Sequence, residues 1–358
     1  MFAVHGLRRM TRWLDPYLVL LMGTVALAAV LPATGPAATA ADASATGAIA
    51  LLFFLYGARL STAEALAGVR HWRLHLTILA CTFVLYPLLG LAARPLGDLL
   101  LTPELYAGLL FLCLVPSTVQ SSIAFTSIAR GNVAGAIAAG SFSSLVGVFL
   151  TPLLVVLLMG GLGGAALSGG PGADALVRIG AQLLLPFLLG QLLRRFIGGF
   201  VTRHRAVLSL VDRGSILIVV YAAFSRGMEE DIWARVSWRR LLALGAVEVL
   251  LLALMLVITV YGSRRLGFSR GDRVAIVFAG SKKSLAAGLP MAGVLFGPQA
   301  AMAVLPLMLF HQMQLVVCAV LARRWGREEE PRPVGEGPPP GPADDSGAHR
   351  APPGNGPA

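Results

Sequence analysis

A chain of 358 residues that is 56% hydrophobic and only 13% charged carries too much apolar surface for a soluble domain and reads as a polytopic membrane protein. Its net charge of +11 does not mark a nucleic-acid binder, because the arginines punctuate the gaps between apolar runs instead of forming one solvated patch. Cys81, Cys113 and Cys318 all lie inside apolar runs, with neither zinc-ligand spacing nor a disulfide framework, and read as small packing residues.

Ten spans are expected in chain order, near residues 16–32, 45–60, 73–93, 105–129, 132–159, 174–197, 206–226, 240–262, 272–296 and 300–322. The first follows Arg8, Arg9 and Arg12 but continues from Pro16 to about Pro32, long enough to span and unlike a cleavable signal peptide. With the N-terminus placed in the cytoplasm, 19 arginines fall near cytoplasmic ends. Six fall near outer ends: Arg94, Arg178, Arg226, Arg235, Arg239 and Arg240. This asymmetry puts both termini inside. The gaps Ala33–Ser44, Gly160–Ala173 and Gly297–Gln299 carry no Lys or Arg and fit the outer face.

From about Arg327 the composition changes. Glu328, Glu329 and Glu330 lead into a Pro- and Gly-rich stretch to Ala358, a tail with too little apolar surface to fold. The spans divide into halves of five, residues 1–159 and 160–326, with the tail 327–358 beyond them. An odd number per half forces opposite orientations, which permits inverted-topology repeats. Spans 4 and 9, fourth in each half, are the two interrupted by polar residues. Interruptions at matching positions are the sequence pointer to a transporter site.

Span 4 is broken by Pro116, which lacks an N–H, and carries Ser117, Thr118, Gln120, Ser121 and Ser122. These side chains either satisfy the carbonyls of a proline kink or supply oxygens to a cation or substrate. Span 9 holds the only two lysines of the chain, Lys282 and Lys283, between Ser281 and Ser284; the other 27 basic residues are arginines. A charge inside an apolar segment is a functional-site hypothesis by default. Gly280 is expected to open the helix and Ser284 to restart it, which puts both lysines at the start of a half-helix that attracts anions. Either an anion neutralises the site or a lysine gives up its proton. Adjacent side chains on a helix point about 100° apart, so one lysine faces the site. Snorkelling to an interface suits neither, given the apolar residues on both sides. Glu248 in span 8 is a candidate partner or proton relay, and alternatively a packing hydrogen-bond donor. His311 and Gln312 in span 10, with Gln314 nearby, read as relay candidates or interhelical hydrogen bonders. Ser141, Ser143 and Ser144, with Gly135, Gly140 and Gly147, mark span 5 as a close-packing helix.

Several of these stretches together resemble a known family. Phe53-Phe54-Leu55-Tyr56-Gly57 with Leu60-Ser61, and Ala129-Arg130-Gly131-Asn132-Val133-Ala134, look like segments of the bile acid:sodium symporter superfamily. Gly280-Ser281-Lys282-Lys283-Ser284-Leu285-Ala286, with Leu305-Pro306-Leu307-Met308-Leu309-Phe310-His311-Gln312, resembles its bacterial branch related to the seventh member of vertebrate solute carrier family 10. The resemblance covers roughly residues 12–325. It implies a ten-helix fold with a panel domain and a core domain in which broken helices 4 and 9 cross. It also implies coupling of an organic anion to sodium. The family's sodium ligands fall near Ser121 and Ser122, where its Asn is missing, and at Phe278 and Lys282, where it carries an acid and a Gln. The hydroxyl ligands it carries in span 5 fall near Ala136 and Gly140. A fixed ammonium at Lys282 then replaces a mobile ion, and a proton becomes the alternative coupling species.

The expected protein is therefore an all-α polytopic secondary transporter of a small organic anion. It works by alternating access in a bacterial plasma membrane, without cofactor, with sodium or a proton as coupling ion. Two other readings stand beside it. One is a membrane regulator of calcium homeostasis, which the eukaryotic relatives imply. The other is an intramembrane Ser–Lys hydrolase, which adjacent residues on one helix do not favour geometrically.

Overall fold

The computed structural model describes residues 16–59, 71–160, 177, 180–229 and 236–328, and every regular element among them is a helix. The expected N-terminal arginines, all of the Gly160–Ala173 gap after Gly160, Leu60-Ser61 and the tail beyond 328 lie outside the described residues. Two helices, α1 (Pro16–Val30) and α2 (Pro36–Arg59), open the described chain. α3 (Trp72–Ala80) passes through a π turn, Cys81–Leu85, into α4 (Tyr86–Ala92). A short α5 (Arg94–Leu100) follows, then α6 (Pro103–Leu114), α7 (Gln120–Ile128) and α8 (Val133–Met159). A second π turn, Gly180–Leu184, leads into α9 (Leu185–Arg203), followed by α10 (Arg205–Glu229) and α11 (Trp238–Arg265). The last elements are α12 (Arg270–Gly280), α13 (Leu285–Phe296) and α14 (Ala300–Arg327).

Among the described residues, seven helices are long and apolar enough to cross a membrane, the α3–α4 rod among them. Two differences from the sequence reading have simple causes. α2 starts at Pro36, inside the expected Ala33–Ser44 gap, because an Ala-rich segment with no breaker follows a proline at the first helical position. α5 stands where no span was expected; Pro95 begins it, and it is too short to cross.

The helices pack in two groups. α2 lies against α9 and α10, and α10 against α1. α2 and α9 approach backbone to backbone: a Cβ on Gly57 would strike the Phe187 carbonyl, and one on Gly190 the Phe54 carbonyl. α2 and α10 are joined by two ion pairs, Asp42 with Arg226 and Arg59 with Asp212. In the second group α6 packs on α14, α12 on α11 and α8, and α13 on α14, with α10 touching α13 and α14 across the boundary. The outer surface is apolar. On α9, Leu185, Leu188, Leu192, Phe196 and Phe200 form an exposed stripe, and only 17% of that segment is buried. Such a stripe needs lipid to cover it.

Candidate functional site

The site forms where two interrupted helices meet. α6 stops at Leu114 because Pro116 has no N–H for the Leu112 carbonyl. The backbone is extended at Val115, and α7 begins at Gln120. α8 makes room for this break and satisfies it. Gly147 faces the Pro116 ring, where a Cβ would sit 2.7 Å from the nearest ring atom. The Ser143 hydroxyl accepts from the Ser117 N–H at 3.1 Å, and Thr151 donates to the Leu114 carbonyl at 2.8 Å.

The second break runs from Ser281 to Ser284. The Ser281 N–H and hydroxyl both turn back onto the Val277 carbonyl. Ser284 takes an extended conformation and caps α13 by accepting from the Ala287 N–H at 3.2 Å. The two breaks are laced together. Ser284 N–H donates to the Pro116 carbonyl at 2.8 Å and Ser122 to the Phe278 carbonyl at 2.9 Å, while Ser117 donates to the Ala279 carbonyl. The carbonyls freed where α12 ends are thus taken by hydroxyls of the other segment, as a backbone at membrane depth requires.

Lys282 and Lys283 are fully buried, and among the described residues neither pairs with a carboxylate. Their surroundings differ. The Lys283 ammonium donates to three backbone carbonyls, Thr82 at 2.9 Å, Cys113 at 2.8 Å and Val115 at 2.9 Å, above the Tyr86 ring at 4.2 Å. Two of these carbonyls lack a backbone partner for identifiable reasons. In the π turn the Tyr86 N–H goes to Cys81, and Pro87 has none to offer Thr82. The Ser117 N–H that would have served Cys113 goes to Ser143. Gln314 of α14 fixes the Lys283 backbone on both sides, accepting from its N–H and donating to its carbonyl, each at 2.8 Å. The Tyr86 hydroxyl donates to the Ser281 carbonyl.

Lys282 makes one hydrogen bond, to the Ser121 hydroxyl at 3.0 Å, and lies 4.5 Å from the centre of the Phe125 ring. Two of its three N–H bonds have no acceptor among the described residues. Thr118 completes the cluster, 2.7 Å from Ser121 and 3.2 Å from Ser122. The N-terminal turn of α7, which carries Ser121 and Ser122, lies at the same place and adds partial positive charge. Phe125 meets Phe278, and Phe278 meets Trp325, in tilted ring contacts, so a chain of aromatic rings runs from Lys282 to the end of α14.

Of the residues singled out in the sequence, Pro116, Ser117, Thr118, Ser121, Ser122, Gly280, Ser281, Lys282, Lys283 and Ser284 are brought together. Gln120 is exposed. Gln312 is half-buried, with no hydrogen bond to either break among the described residues, and His311 meets Gln314 at 2.8 Å. Glu248 is buried in α11 with neither carboxyl oxygen hydrogen-bonded among the described residues and no contact to a lysine. Sequence reasoning did not single out Thr82, Tyr86 or the Cys113 and Val115 carbonyls. It read Ser143 as part of a close-packing helix, not as a partner of the break, and named Gln312 before Gln314. No group of His, Cys, Asp or Glu among the described residues could hold a metal ion.

Long apolar helices around a polar meeting of two broken ones define a multi-pass membrane protein of the transporter class. The chain belongs to the SBF-like CPA transporter family, within the bile acid:sodium symporter superfamily; the family's profile matches residues 15–327. It is 54% identical to the uncharacterised protein PA2026 of Pseudomonas aeruginosa over 88% of this chain and 94% of that one. It is 48% identical to YfeH of Escherichia coli K12, named as a candidate symporter, over 90% and 96% of the two chains. It is 28% identical to the sodium/bile acid cotransporter 7 of Rattus norvegicus over 76% and 80%.

Proposed function

We propose that the protein is a secondary transporter that moves a small organic anion by alternating access, with Lys282 as the cationic ligand. The observation that carries this reading is the Lys282 ammonium: buried, without a carboxylate, and with two N–H bonds to spare beside a half-helix N-terminus. An anion supplies what that group lacks. Ser121 and Thr118 add hydroxyls to the site, and Ser117, Ser122, Ser281 and Ser284 hold the two breaks in register. The chain binds and releases its substrate without a bond-making step. One serine does meet a lysine, Ser121 with Lys282, so a serine-directed covalent probe tests the hydrolase reading; labelling of Ser121 would overturn the transport assignment.

We read the elements as ten crossing segments in two inverted five-helix halves: α1, α2, the α3–α4 rod, the α6/α7 pair and α8, then α9, α10, α11, the α12/α13 pair and α14. The broken pairs hold the fourth place in each half. In this reading α1, α2, α9 and α10 form a panel and the other segments a core that moves against it. The arginine distribution supports cytoplasmic termini in a bacterial plasma membrane. A reporter fused after Trp325 is expected to be active in the cytoplasm only.

The rat relative's name includes sodium and bile acid. A bile acid is an amphiphilic organic anion, and Lys282 suits its charged group. Sodium suits the site less well. Ser121, the position the resemblance gives to a sodium ligand, is already bonded to Lys282. Two like charges about 4 Å apart repel by about 4 kcal/mol at an effective dielectric of 20. A proton is therefore the coupling ion we favour. Thermal unfolding in sodium and in choline, at several pH values, for wild type and Lys282→Ala decides between them. The expected result is no sodium effect and a pH-dependent shift lost in the variant; sodium-specific stabilisation of the wild type would restore sodium symport. Uptake into proteoliposomes tests transport itself. If no organic anion accumulates under any ion gradient while deletion in cells changes cytosolic calcium, the protein is a regulator instead.

A further inference from the structure

The lysine beside the proposed substrate ligand has a different task. Three carbonyl oxygens converge on the Lys283 nitrogen at 2.8–2.9 Å, and a Tyr86 ring face closes a fourth side. Three acceptors match the three N–H bonds of an ammonium; an uncharged amine has two N–H bonds and would turn a lone pair toward an oxygen. The lengths are those of charge-assisted hydrogen bonds, about 2.7–2.9 Å. A ring of neutral backbone carbonyls is also the set by which proteins hold free monovalent cations in place of their hydration shell.

We infer that Thr82, Cys113 and Val115 form a monovalent-cation site that the chain fills from within, so that Lys283 is a tethered ion holding the two breaks together. The crossing then needs no dissolved cation at this place. Lys283 is a positioning residue and makes no contact with the substrate. The inference does not depend on what the protein transports, since it concerns the joint between α4, the α6 break and the α12 break.

Replacing Lys283 with Ala removes a three-carbon chain and its nitrogen, which is n-propylammonium in outline. The full-length protein is purified as wild type, Lys283→Ala and Lys283→Met. Unfolding midpoints are compared in chloride salts of n-propylammonium, ammonium, potassium and N-methylglucamine at one ionic strength. The wild type is expected to melt at the same temperature in all four. Lys283→Ala is expected to lose about 5–10 °C in N-methylglucamine and to regain at least half of that in n-propylammonium or ammonium. Lys283→Met, whose thioether occupies the cavity, is expected to lose stability without rescue. A Lys283→Ala protein as stable as wild type, or one that no cation restores, overturns the inference. Should Lys283→Ala not fold, the wild type suffices, because the chain has only two lysines. Lysine side chains labelled with nitrogen-15 give two signals, assigned with Lys282→Arg. The Lys283 nitrogen is expected as a slowly exchanging ammonium unchanged by added carboxylate anions; an amine signal at pH 7 would refute the tethered ion.

Discussion

The α2–α10 pair and the meeting of the two breaks handle buried charge in opposite ways. Along α2 and α10, Asp42 meets Arg226 and Asp212 meets Arg59, each cation facing an anion across an antiparallel pair. At the breaks two ammonium groups lie deeper than any of those four side chains, and among the described residues each is held by neutral oxygens and ring faces with no carboxylate. The first arrangement is balanced in charge, although Arg59 Nη2 and Arg226 Nε have no hydrogen-bond partner among the described residues. The second keeps net positive charge inside the protein. It divides the labour between neighbours: Lys283 has every donor used, whereas Lys282 has donors left. Fixed charge pairs suit a frame, and a buried cation with no anion beside it suits a place where something must arrive and leave.

The sharpest way to break this contrast is Lys282→Ala. Uptake is expected to fall at least a hundredfold, as losing a charge-assisted hydrogen bond of about 3 kcal/mol implies, with membrane insertion intact; wild-type uptake rates would end the distinction between the two lysines. Next comes Lys283→Met, which leaves three buried carbonyls unpaired at roughly 1–3 kcal/mol each. It is expected to lower the unfolding midpoint more than Lys282→Met does, and the reverse order in a melting experiment would exchange their roles. Gln314→Leu frees the Lys283 N–H and carbonyl and is expected to cost about 2 kcal/mol, seen as faster amide exchange across Ser281–Ser284. The smallest effect belongs to the frame. Arg59 and Asp212 retain 29% and 18% of their side-chain exposure, so a double-mutant cycle on their stability is expected to give about 1 kcal/mol or less. A coupling above about 3 kcal/mol would make the frame as charge-dependent as the crossing.

Much of this was legible in the residues. Pro116 and the adjacent lysines mark both breaks because a missing N–H and a charge are costly inside an apolar helix, and the hydroxyls of Ser117 and Ser122 announce partners for freed carbonyls. The cage around Lys283 was hidden because its acceptors are backbone atoms, which every residue has. Its only trace was Pro87, whose missing N–H orphans Thr82, and that signal requires knowing that the chain makes a π turn there. Gln312 and Gln314 are indistinguishable by type and depth in the sequence. Only the rotation of α14 turns Gln314 onto the break, and a rotation depends on packing against α6 and α13. Glu248 stood out as a buried acid and is one, but a sequence does not say how far it lies from a lysine.

The chain of ring contacts leading from Lys282 has an optical consequence. Trp325 is one of five tryptophans, with Trp13, Trp72, Trp233 and Trp238. It touches Phe278, which touches Phe125, the ring beneath the ammonium. A chain keeping this indole alone would carry a single emitter two ring contacts from the charge. Its fluorescence would then register an arriving anion in the unmodified site, with no dye and no labelled substrate.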